Sequence, residues 1–430
     1  MSVRNSKGYL ILSALFLFGA LVLFSAVFNC AGETLTVGGD GGGTDHSTIG
    51  AAIENATEGD TIFILKGIYR EEVHIKKSVS LVGENATHTT IEVADGNIGY
   101  WIDQDNVDLA NLSFRGMGRN GSTGIFVSGY NTSISNVIGI DTDWGLFINN
   151  STHISIDNCW MVNTSYGISV VGSSMVNISG CGFKDQSDIG IFVSNSTLTS
   201  ISQNICTGNS DSGNGILCQF SHNITISSNT IEEIKHYGIQ LHFCNSSVVE
   251  YNRISSGFNG ISLYRSIACE VSGNVCSNAT NAIYISLSTG NKLYDNTCSS
   301  SIDGIVLSSS TDNLITNNSC LYNEYGIVLG SGSDGNHIIG NMMSYNLYEK
   351  DSETKGVGLY LISSSNIIHR NTMTFNHNGL VLWGVNNSLT QNEFRENWYG
   401  ISLGVVYNPW VEANTMSTSI TNNSFLGNYH

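Results

Sequence analysis

Basic residues are scarce in this chain. Its 430 residues include 17 Lys and Arg against 35 Asp and Glu, which gives a formal net charge of -18 at pH 7. This balance argues against a nucleic-acid-binding protein, because such proteins neutralise phosphates with clusters of Lys and Arg. The few basic residues are also scattered, so the sequence shows no basic patch that would hold a polyanionic ligand.

Leucine is sparse as well, and the sequence shows no regularly recurring helical run. A leucine-rich repeat needs regularly spaced leucines and a helix or tight turn on its outer side, so this solenoid class is excluded. Gly, Ser, Asn, Thr and Ile dominate instead. The chain is longer than a usual single-core domain, but a solenoid escapes that limit because each coil contacts only its neighbours.

A small residue followed by an aliphatic one recurs thirteen times, usually as Gly-Ile, and most intervals are 21 to 23 residues. The pairs begin at Gly124, Gly145, Gly167, Gly190, Gly215, Gly238, Gly260, Ala282, Gly304, Gly326, Gly358, Gly379 and Gly400. A fixed period over this length is typical of a solenoid. Each pair opens a short run of alternating side chains that ends in Ser, Asn or Gly, which predicts a short strand followed by a bend.

An asparagine follows most of these small residues by about fourteen positions. These asparagines are Asn204, Asn229, Asn252, Asn274, Asn296, Asn318, Asn341, Asn371, Asn392 and Asn414. Asparagine tolerates left-handed backbone, so we expect it to form a corner of each coil. Stacked about 4.8 Å apart, the amides would hydrogen-bond from coil to coil and fix the register. The sequence predicts an all-β fold, a right-handed parallel β-helix of about 13 or more coils with an N-terminal cap.

The repeats follow an export segment and a cap. Residues 1–32 hold a basic start and an apolar stretch of about 20 residues, which predicts a signal peptide or a membrane anchor. Residues 33–115 are predicted to form the N-terminal cap and first coils, and residues 116–430 the β-helix repeats. A charged insertion near 346–356 is predicted to be an exposed loop. Export would also suit the many Asn-x-Ser/Thr sequons, which indicate a glycoprotein.

The predicted cap contains a short amphipathic helix. Ile49, Ala52, Ile53 and Ala56 fall on one helical face, and Ser47 can cap the first turn. Such a helix would cover the open end of the core, which is otherwise an unpaired edge.

Ten cysteines in an exported protein would ordinarily suggest disulfides. Cys276, Cys298 and Cys320 instead recur at 22 residues, and Cys206 holds the equivalent place. Other coils put Ile or Met there, so we expect an inward-facing slot in which cysteine serves as a small apolar residue. Parallel Cβ directions between coils also give poor disulfide geometry. The sequence therefore predicts free, buried thiols.

Several motifs near the start carry a resemblance to a known family. They are Ser47-Thr48-Ile49, Ala51-Ala52-Ile53, Gly59-Asp60-Thr61-Ile62, Gly67-Ile68-Tyr69, Glu72-Val73 and Val79-Ser80-Leu81-Val82-Gly83. With the later Gly-Ile pairs, the chain resembles NosD-type proteins and the wider pectin-lyase-like group of carbohydrate-binding and sugar-hydrolase β-helices. The resemblance covers nearly everything after residue 33. The resemblance implies the fold but no single activity, since the group includes lyases, epimerases, surface-layer proteins and an accessory protein of copper-site maturation.

Five aromatic residues directly precede a repeat glycine. They are Trp144, Tyr166, Tyr237, Tyr325 and Tyr399. A shared register places them on one face, where rings can cover the C–H faces of an extended sugar while Asn and Ser bind its hydroxyls. They are the predicted carbohydrate-binding residues. The alternative is that the rings only cover the strand entrance.

Acidic residues cluster early in the repeats, and Asp141, Asp143 and Asp188 are the candidate catalytic residues. Asp143 and Asp188 both lie two positions before a glycine, so they would sit two coils and roughly 9.6 Å apart, near the upper range for inverting carboxylate pairs. Solvated carboxylates are the alternative. The motifs of familiar enzymes in the resembled group are missing: there is no Gly-His-Gly with a following Arg-x-Lys, and Pro409, the only proline, rules out Asp-Pro-His-Asp.

The resemblance to NosD also raises the question of copper. Soft side chains that could bind it are His236, His242, Met342, Met343, His369, Met373 and His377. Met343 and Met373 take the predicted core slot, however, and His337 and His369 do not align when their coils are superposed. The sequence predicts no metal site and no cofactor.

These observations predict an exported protein of the cell surface that binds or organises glycans. Its expected partner is a polysaccharide or cell-surface glycan, with no nucleic acid. One alternative is a divergent polysaccharide lyase or glycoside hydrolase. Another is a structural envelope protein or a NosD-like copper accessory protein.

Overall fold

The computed structural model describes residues 32–38, 43–208, 213–255, 257–347, 356–403 and 417–430. Over these residues the chain winds into a parallel β-helix of about fifteen turns, as the sequence predicts. Each turn passes through one strand of each of three sheets, called A, B and C in chain order. Strands of neighbouring turns pair in parallel within each sheet, so the sheets form three long sides around one core.

The described strands are short, and each sheet contributes one strand per turn. Sheet A contains Thr34–Val37, Thr61–Ile64, Ser80–Gly83, Asp108–Ala110, Thr132–Ser135, Thr152–Asp157, Ser174–Ser179, Ser200–Ser202, Thr225–Ser227, Val248–Glu250, Glu270–Ser272, Lys292–Tyr294, Leu314–Thr316, His337–Ile339, Ile367–His369, Ser388–Thr390 and Ser419–Thr421. Sheet B contains Gly67–Tyr69, Thr89–Val93, Ser113–Gly116, Ile138–Ile140, Trp160–Val162, Gly182–Lys184, Ile205–Thr207, Thr230–Glu232, Arg253–Ser255, Val275–Ser277, Thr297–Ser299, Ser319–Leu321, Met342–Ser344, Thr372–Thr374, Glu393–Arg395 and Ser424–Leu426. Sheet C contains Val73–Ile75, Ile98–Ile102, Thr123–Val127, Trp144–Asn149, Tyr166–Val171, Ile189–Ser194, Asn214–Gln219, Tyr237–His242, Asn259–Tyr264, Asn281–Ser286, Asp303–Ser308, Tyr325–Leu329, Val357–Leu361, Asn378–Leu382 and Tyr399–Leu403.

The recurring Gly-Ile pair opens the strands of sheet C, and both residues have a physical reason. A Cβ at Gly304 would lie 2.3 Å from the main-chain oxygen of Gly326, so the coils touch too closely there for a side chain. The next residue points into the core. Ile305 and Ile327 are register partners and both are fully buried. The Gly-Ile pair therefore recurs once per turn because each turn has one close backbone contact and one core position at this place.

An inward-facing column of sheet B contains four of the cysteines. Its register partners are, in order, Cys206, Ile231, Ile254, Cys276, Cys298, Cys320, Met343, Met373 and Phe394. All of these residues are buried. Nine cysteines lie in the described part of the chain, and all nine are free and buried, which confirms the prediction for them. Cys30 lies outside the described residues.

A ladder of buried asparagines follows the corner between sheets A and B, as predicted. Each amide donates from Nδ2 to Oδ1 of the asparagine in the next coil, as from Asn274 to Asn296 at 3.0 Å. Two details of the prediction are wrong. The left-handed residue is the one before the ladder position, as Asn317 with φ 55° before Asn318, because the residue that turns the chain cannot also point its amide inward. The rung after Asn392 is Asn423, whereas the expected Asn414 lies outside the described residues.

The other two corners carry asparagine ladders that the sequence analysis did not identify. Between sheets C and A the ladder consists of Asn291, Asn313, Asn336, Asn366 and Asn387. Between sheets B and C it consists of Asn323, Asn346, Asn376, Asn397 and Asn428. Buried amides therefore fix the register of the later coils at three corners.

One helix, α1, lies at the N-terminal end of the described core and spans Ile49–Asn55. Its inner side chains are buried against the first strands. The N-cap is Thr48 rather than the predicted Ser47, since the Thr48 side chain accepts a hydrogen bond from the main-chain N–H of Ala51 at 3.2 Å. The carboxylate of Glu71 also accepts two main-chain hydrogen bonds from the first turn, which satisfies donors that a helix start leaves free.

In the described part of the chain, no helix has both the length and the apolar character needed to cross a membrane. The predicted signal peptide or anchor lies outside the described residues except for Gly32, and so do residues 348–355 of the charged insertion.

Candidate functional site

The outer surface of sheet C carries a column of aromatic rings. In three of its six-residue strands the first, fourth and sixth residues are partly exposed, and the residues between them are buried. The fourth residues of neighbouring strands are register partners and form one column along the sheet, which His74 joins in the shorter first strand. The first six members of this column are His74, Trp101, Phe126, Phe147, Ser169 and Phe192. Five of the six carry a ring.

These rings join two from the neighbouring column to form one contiguous surface. We call it the aromatic face; its members are His74, Trp101, Phe126, Trp144, Phe147, Tyr166 and Phe192. His74 and Trp101 stack with centroids 4.7 Å apart, and Trp101 meets Phe126 edge-on at 6.0 Å. The contacts then continue without a break through Phe147 to the far end of the set. His74 is also paired with Asp103 at 2.6 Å.

The five aromatic residues predicted from the sequence occupy the first position of their sheet C strands and share one register column. Only Trp144 and Tyr166 are neighbours in it. Between the others the column holds Ile189, Asn214, Asn259, Asn281, Asp303, Val357 and Asn378. Tyr237, Tyr325 and Tyr399 are therefore isolated by two or three coils each and do not form a continuous platform in this column.

In the column of Trp144 and Tyr166, neighbouring rings of the protein already cover part of the ring faces. Trp144 stacks on Tyr166 at 4.4 Å and on Phe147 at 5.1 Å, so neighbouring rings cover it. Trp101 also contacts two rings, those of His74 and Phe126, but it remains 42% exposed. The fourth-position column was not predicted, although Trp101, Phe126 and Phe147 recur at intervals of 25 and 21 residues and Phe192 follows two repeats later.

The candidate carboxylates lie beside the aromatic face. The register places Asp143 and Asp188 two coils apart, before the strands on either side of Tyr166. Burial, and then the charges of Asp188 and Asp143, raise the pKa of Tyr166. Asp141 is elsewhere in its coil, at a left-handed corner with φ 60°, where its Oδ1 accepts a hydrogen bond from Asn163. The structure thus brings two of the three candidates to one ring and leaves the third at a corner.

A carboxyl that the sequence analysis did not select lies farther along the same column. Asp303 follows Asn281 and precedes Tyr325 in the register. Burial, and then the nearby charge of Glu324, raise the pKa of Asp303 to about 6. A carboxyl in this range remains partly protonated near neutral pH, which is a property of general acids.

The protein-family comparison can now be set beside this geometry. The model of the NosD family, described as periplasmic copper-binding protein (NosD), matches residues 53–213, 98–256 and 209–356. Together these matches span more than half of the chain. The chain belongs to the NosD family. No curated protein sequence matches it.

Solved structures similar to this NosD-family chain are also parallel β-helices. The periplasmic alginate epimerase AlgG shares 16% identity, with 65% of this chain and 73% of AlgG covered and a TM-score of 0.50. The Dettilon tailspike protein shares 14% identity, with 72% of this chain and 66% of that chain covered and a TM-score of 0.51. At such identities the likeness shows the fold alone.

The side chains considered for copper do not assemble into a site. Met343 and Met373 are buried in the core of sheet B, whereas Met342 points outward from that sheet. His369 lies on sheet A, where its Nδ1 is 2.8 Å from the hydroxyl of Thr390. Among the residues that the structure describes, no group of three or more His, Cys, Asp or Glu could hold a metal ion. The described His, Cys, Asp and Glu residues therefore offer no set of three donors for a copper ion.

Proposed function

We propose that this NosD-family protein binds an extended glycan along the aromatic face of sheet C. The observation that carries the proposal is the unbroken set of ring contacts from His74 to Phe192, with Trp101 exposed within it. Aromatic rings provide apolar area with little conformational freedom, and sugars offer matching C–H surfaces. The coils repeat about every 4.8 Å, so the face has the linear, regular form that suits a chain of sugar units.

Polar groups border the rings, as a saccharide site requires. Asp103 holds His74 against Trp101 and keeps a partly exposed carboxylate beside the indole. Asp143 and Asp188 border Tyr166. Such groups can accept hydrogen bonds from sugar hydroxyls while the rings bind the ring carbons.

Export belongs to the same proposal. The family description names a periplasmic protein, and the sequence begins with a basic, then apolar segment. We place the protein outside the cytoplasm, at the cell surface, where polysaccharide would be its partner. Residues 1–32 are predicted to act as a cleaved signal or as an anchor. The mass of the mature protein distinguishes the two.

The direct test is binding of neutral and acidic polysaccharides to the protein, with released products measured in the same reactions. Trp101→Ala should lower the affinity about tenfold, because an interfacial aromatic anchor commonly contributes this much or more. Tyr251→Ala is the matched control, since Tyr251 is 67% exposed at a corner away from sheet C. Equal affinity of the Trp101 variant and the wild type would remove the aromatic face as the site.

Asp303 favours an enzyme as the second candidate function. Its partly buried carboxyl could protonate a leaving group, as the acid does in glycoside hydrolysis. Released sugar in the binding assay, abolished by Asp303→Asn with binding retained, would establish this alternative. Release that persists in the variant would show that Asp303 is not the acid.

A further inference from the structure

A second cluster of rings surrounds one arginine at the corner between sheets C and A. We call it the Arg265 cluster; its members are Phe220, His242, Phe243, Tyr264 and Arg265. The guanidinium of Arg265 lies 5.3 Å from the ring centroids of both Phe243 and Tyr264. Phe220 and Phe243 stack at 5.1 Å, and His242 packs between Phe243 and Tyr264 at about the same distance from each. The rings thus hold the guanidinium in one place.

The backbone at this corner places bulky side chains of successive coils next to one another. Three earlier coils put Asn150, Gly172 and Asn195 at the left-handed corner position, residue types that tolerate it. The next three coils put Phe220, Phe243 and Arg265 there, with φ between 49° and 52°. Left-handed backbone is unfavourable for bulky side chains. Bulky residues take the same conformation at other corners too, as Leu287 does in the next coil, so this backbone is a general feature of the fold that here sets the rings and the arginine side by side.

Arg265 has no anionic partner among the described residues. Its guanidinium forms neither an ion pair nor a hydrogen bond with any of them, and it lies over the rings of Phe243 and Tyr264. The nearby Glu270 on sheet A is already paired with Lys292 at 2.9 Å. Stacking leaves the N–H edge of a guanidinium available for a carboxylate. In a chain with a formal net charge of -18, this exposed cation is a local exception.

The cluster continues the proposed glycan face. Ser194, Gln219, His242 and Tyr264 follow one another in a single register column, at the carboxyl ends of sheet C strands. Phe220 lies in the coil after Phe192, the last ring of the aromatic face, and three residues along the chain from Leu217, the register partner of Phe192. A saccharide that lies along that face would reach Arg265 within a few coils.

We propose that the Arg265 cluster is an anion subsite that selects an acidic saccharide, with Arg265 binding the carboxylate of a uronate unit and the Phe243 and Tyr264 rings supporting the guanidinium. This inference rests on the proposed function and names its ligand class. A sulfated sugar presents a related anion and serves as a competing ligand in the test.

The test compares oligogalacturonide, a sulfated oligosaccharide and a neutral oligosaccharide of equal length by calorimetric titration of the full chain. Wild type should bind oligogalacturonide at least about tenfold more tightly than the neutral sugar, and Arg265→Gln should remove this preference, because charge-assisted hydrogen bonds contribute about tenfold to a hundredfold in affinity. Arg253→Gln is the matched control: it removes the same charge from the outer face of sheet B and should leave both affinities within about twofold.

Phe243→Asn separates a binding role from a structural one. Asparagine suits the left-handed corner better than phenylalanine, so this variant should melt at a higher temperature than wild type and still bind oligogalacturonide more weakly. Unchanged binding in a stable Phe243→Asn variant would overturn the support that the rings give to Arg265.

The outcomes also distinguish this inference from the proposed function. Neutral and acidic sugars bound equally, with both affinities lowered by Trp101→Ala, would overturn the anion subsite and leave the glycan face standing. Preference for the sulfated sugar over oligogalacturonide would overturn the assignment to uronate. Acidic sugar bound through Arg265 with no effect of Trp101→Ala would support the subsite and overturn the aromatic face. No binding of any sugar would overturn both.

Discussion

At the scale of single residues, the buried asparagines are the polar side chains on which the register depends. Asn274 shows the full pattern. Its Nδ2 donates to Oδ1 of Asn296 and to the main-chain oxygens of Val249 and Ser272, and its own Oδ1 accepts from Asn252. Since every hydrogen-bonding group of the amide has a partner, burial leaves no unsatisfied polar atom.

Asn274→Ala should destabilise the fold by about 2–4 kcal/mol. The change leaves the main-chain N–H of Asn252 and the oxygen of Val249 without partners, and each unsatisfied buried group costs about 1–3 kcal/mol. Chemical denaturation measures the free energy of unfolding. Asn177→Ala, on the outer face of sheet A, is the control and should change it by less than about 0.5 kcal/mol. Equal effects of the two variants would contradict the importance of the ladder.

Residue-level reasoning predicted this ladder but misassigned its geometry. The period identified the asparagines, because one amide per turn must recur at the repeat length. It could not separate the amide that points inward from the preceding residue that bends the chain, since Asn suits both roles: Asn317 bends the chain and Asn318 forms the rung. The ladders at the other two corners escaped notice because other residue types hold those positions in earlier coils: Cys269 precedes Asn291, and Ala279 and Ser301 precede Asn323.

At the scale of elements, the start of each sheet C strand is the tightest contact between coils. The sequence places Ala282 once in the glycine column, so one methyl group is accommodated at that coil. Gly304→Val adds two further methyl groups where even a Cβ would meet the Gly326 oxygen at 2.3 Å and the Cys320 Cβ at 3.1 Å. We expect a loss of about 1–3 kcal/mol in unfolding free energy from this overpacking.

Gly50→Ala in helix α1 is the control for the Gly304→Val variant, because here there is room for an added methyl group. There an added Cβ meets only the Glu71 carboxylate at 3.4 Å, and alanine favours a helix. This variant should be as stable as wild type or more stable, by up to about 1 kcal/mol. A Gly304→Val protein with wild-type stability would show that the coils can separate at this contact.

Element-level patterns predicted the sheets more fully than the site. Five rings beside the glycine were visible in the sequence, but only Trp144 and Tyr166 touch, because other residue types occupy the coils between the rest. The fourth-position column, which includes Trp101, depends on where each strand's alternation begins. The Arg265 cluster depends on a corner that brings residues more than twenty positions apart into contact. Neither arrangement follows from a motif of adjacent residues.

At the scale of the whole molecule, the core contains nine free thiols among its described residues, and burial disfavours their ionised form. Burial raises the pKa of Cys206 to about 12 from an ordinary value of 9.0, and raises those of Cys244 and Cys269 to about 11. The fold was predictable at this scale because a solenoid repeats one unit, so thirteen weak local signals supported one another. The raised pKa values of the core thiols were not predictable, because they depend on complete exclusion of water.

We therefore expect the protein to lose stability in alkaline solution between about pH 9 and pH 12. Thiols of the unfolded chain release their protons near the ordinary value, whereas folded Cys206 keeps its proton until about 12, so the unfolded state gains stability as the pH rises. Cys206→Val isolates this effect. The difference in unfolding free energy between wild type and the variant should be constant below pH 8. Above pH 9 it should shift against wild type by about 1.4 kcal/mol per pH unit. Denaturation curves across this range provide the measurement, and a difference that stays constant to pH 11 would show that the Cys206 thiol is accessible to water.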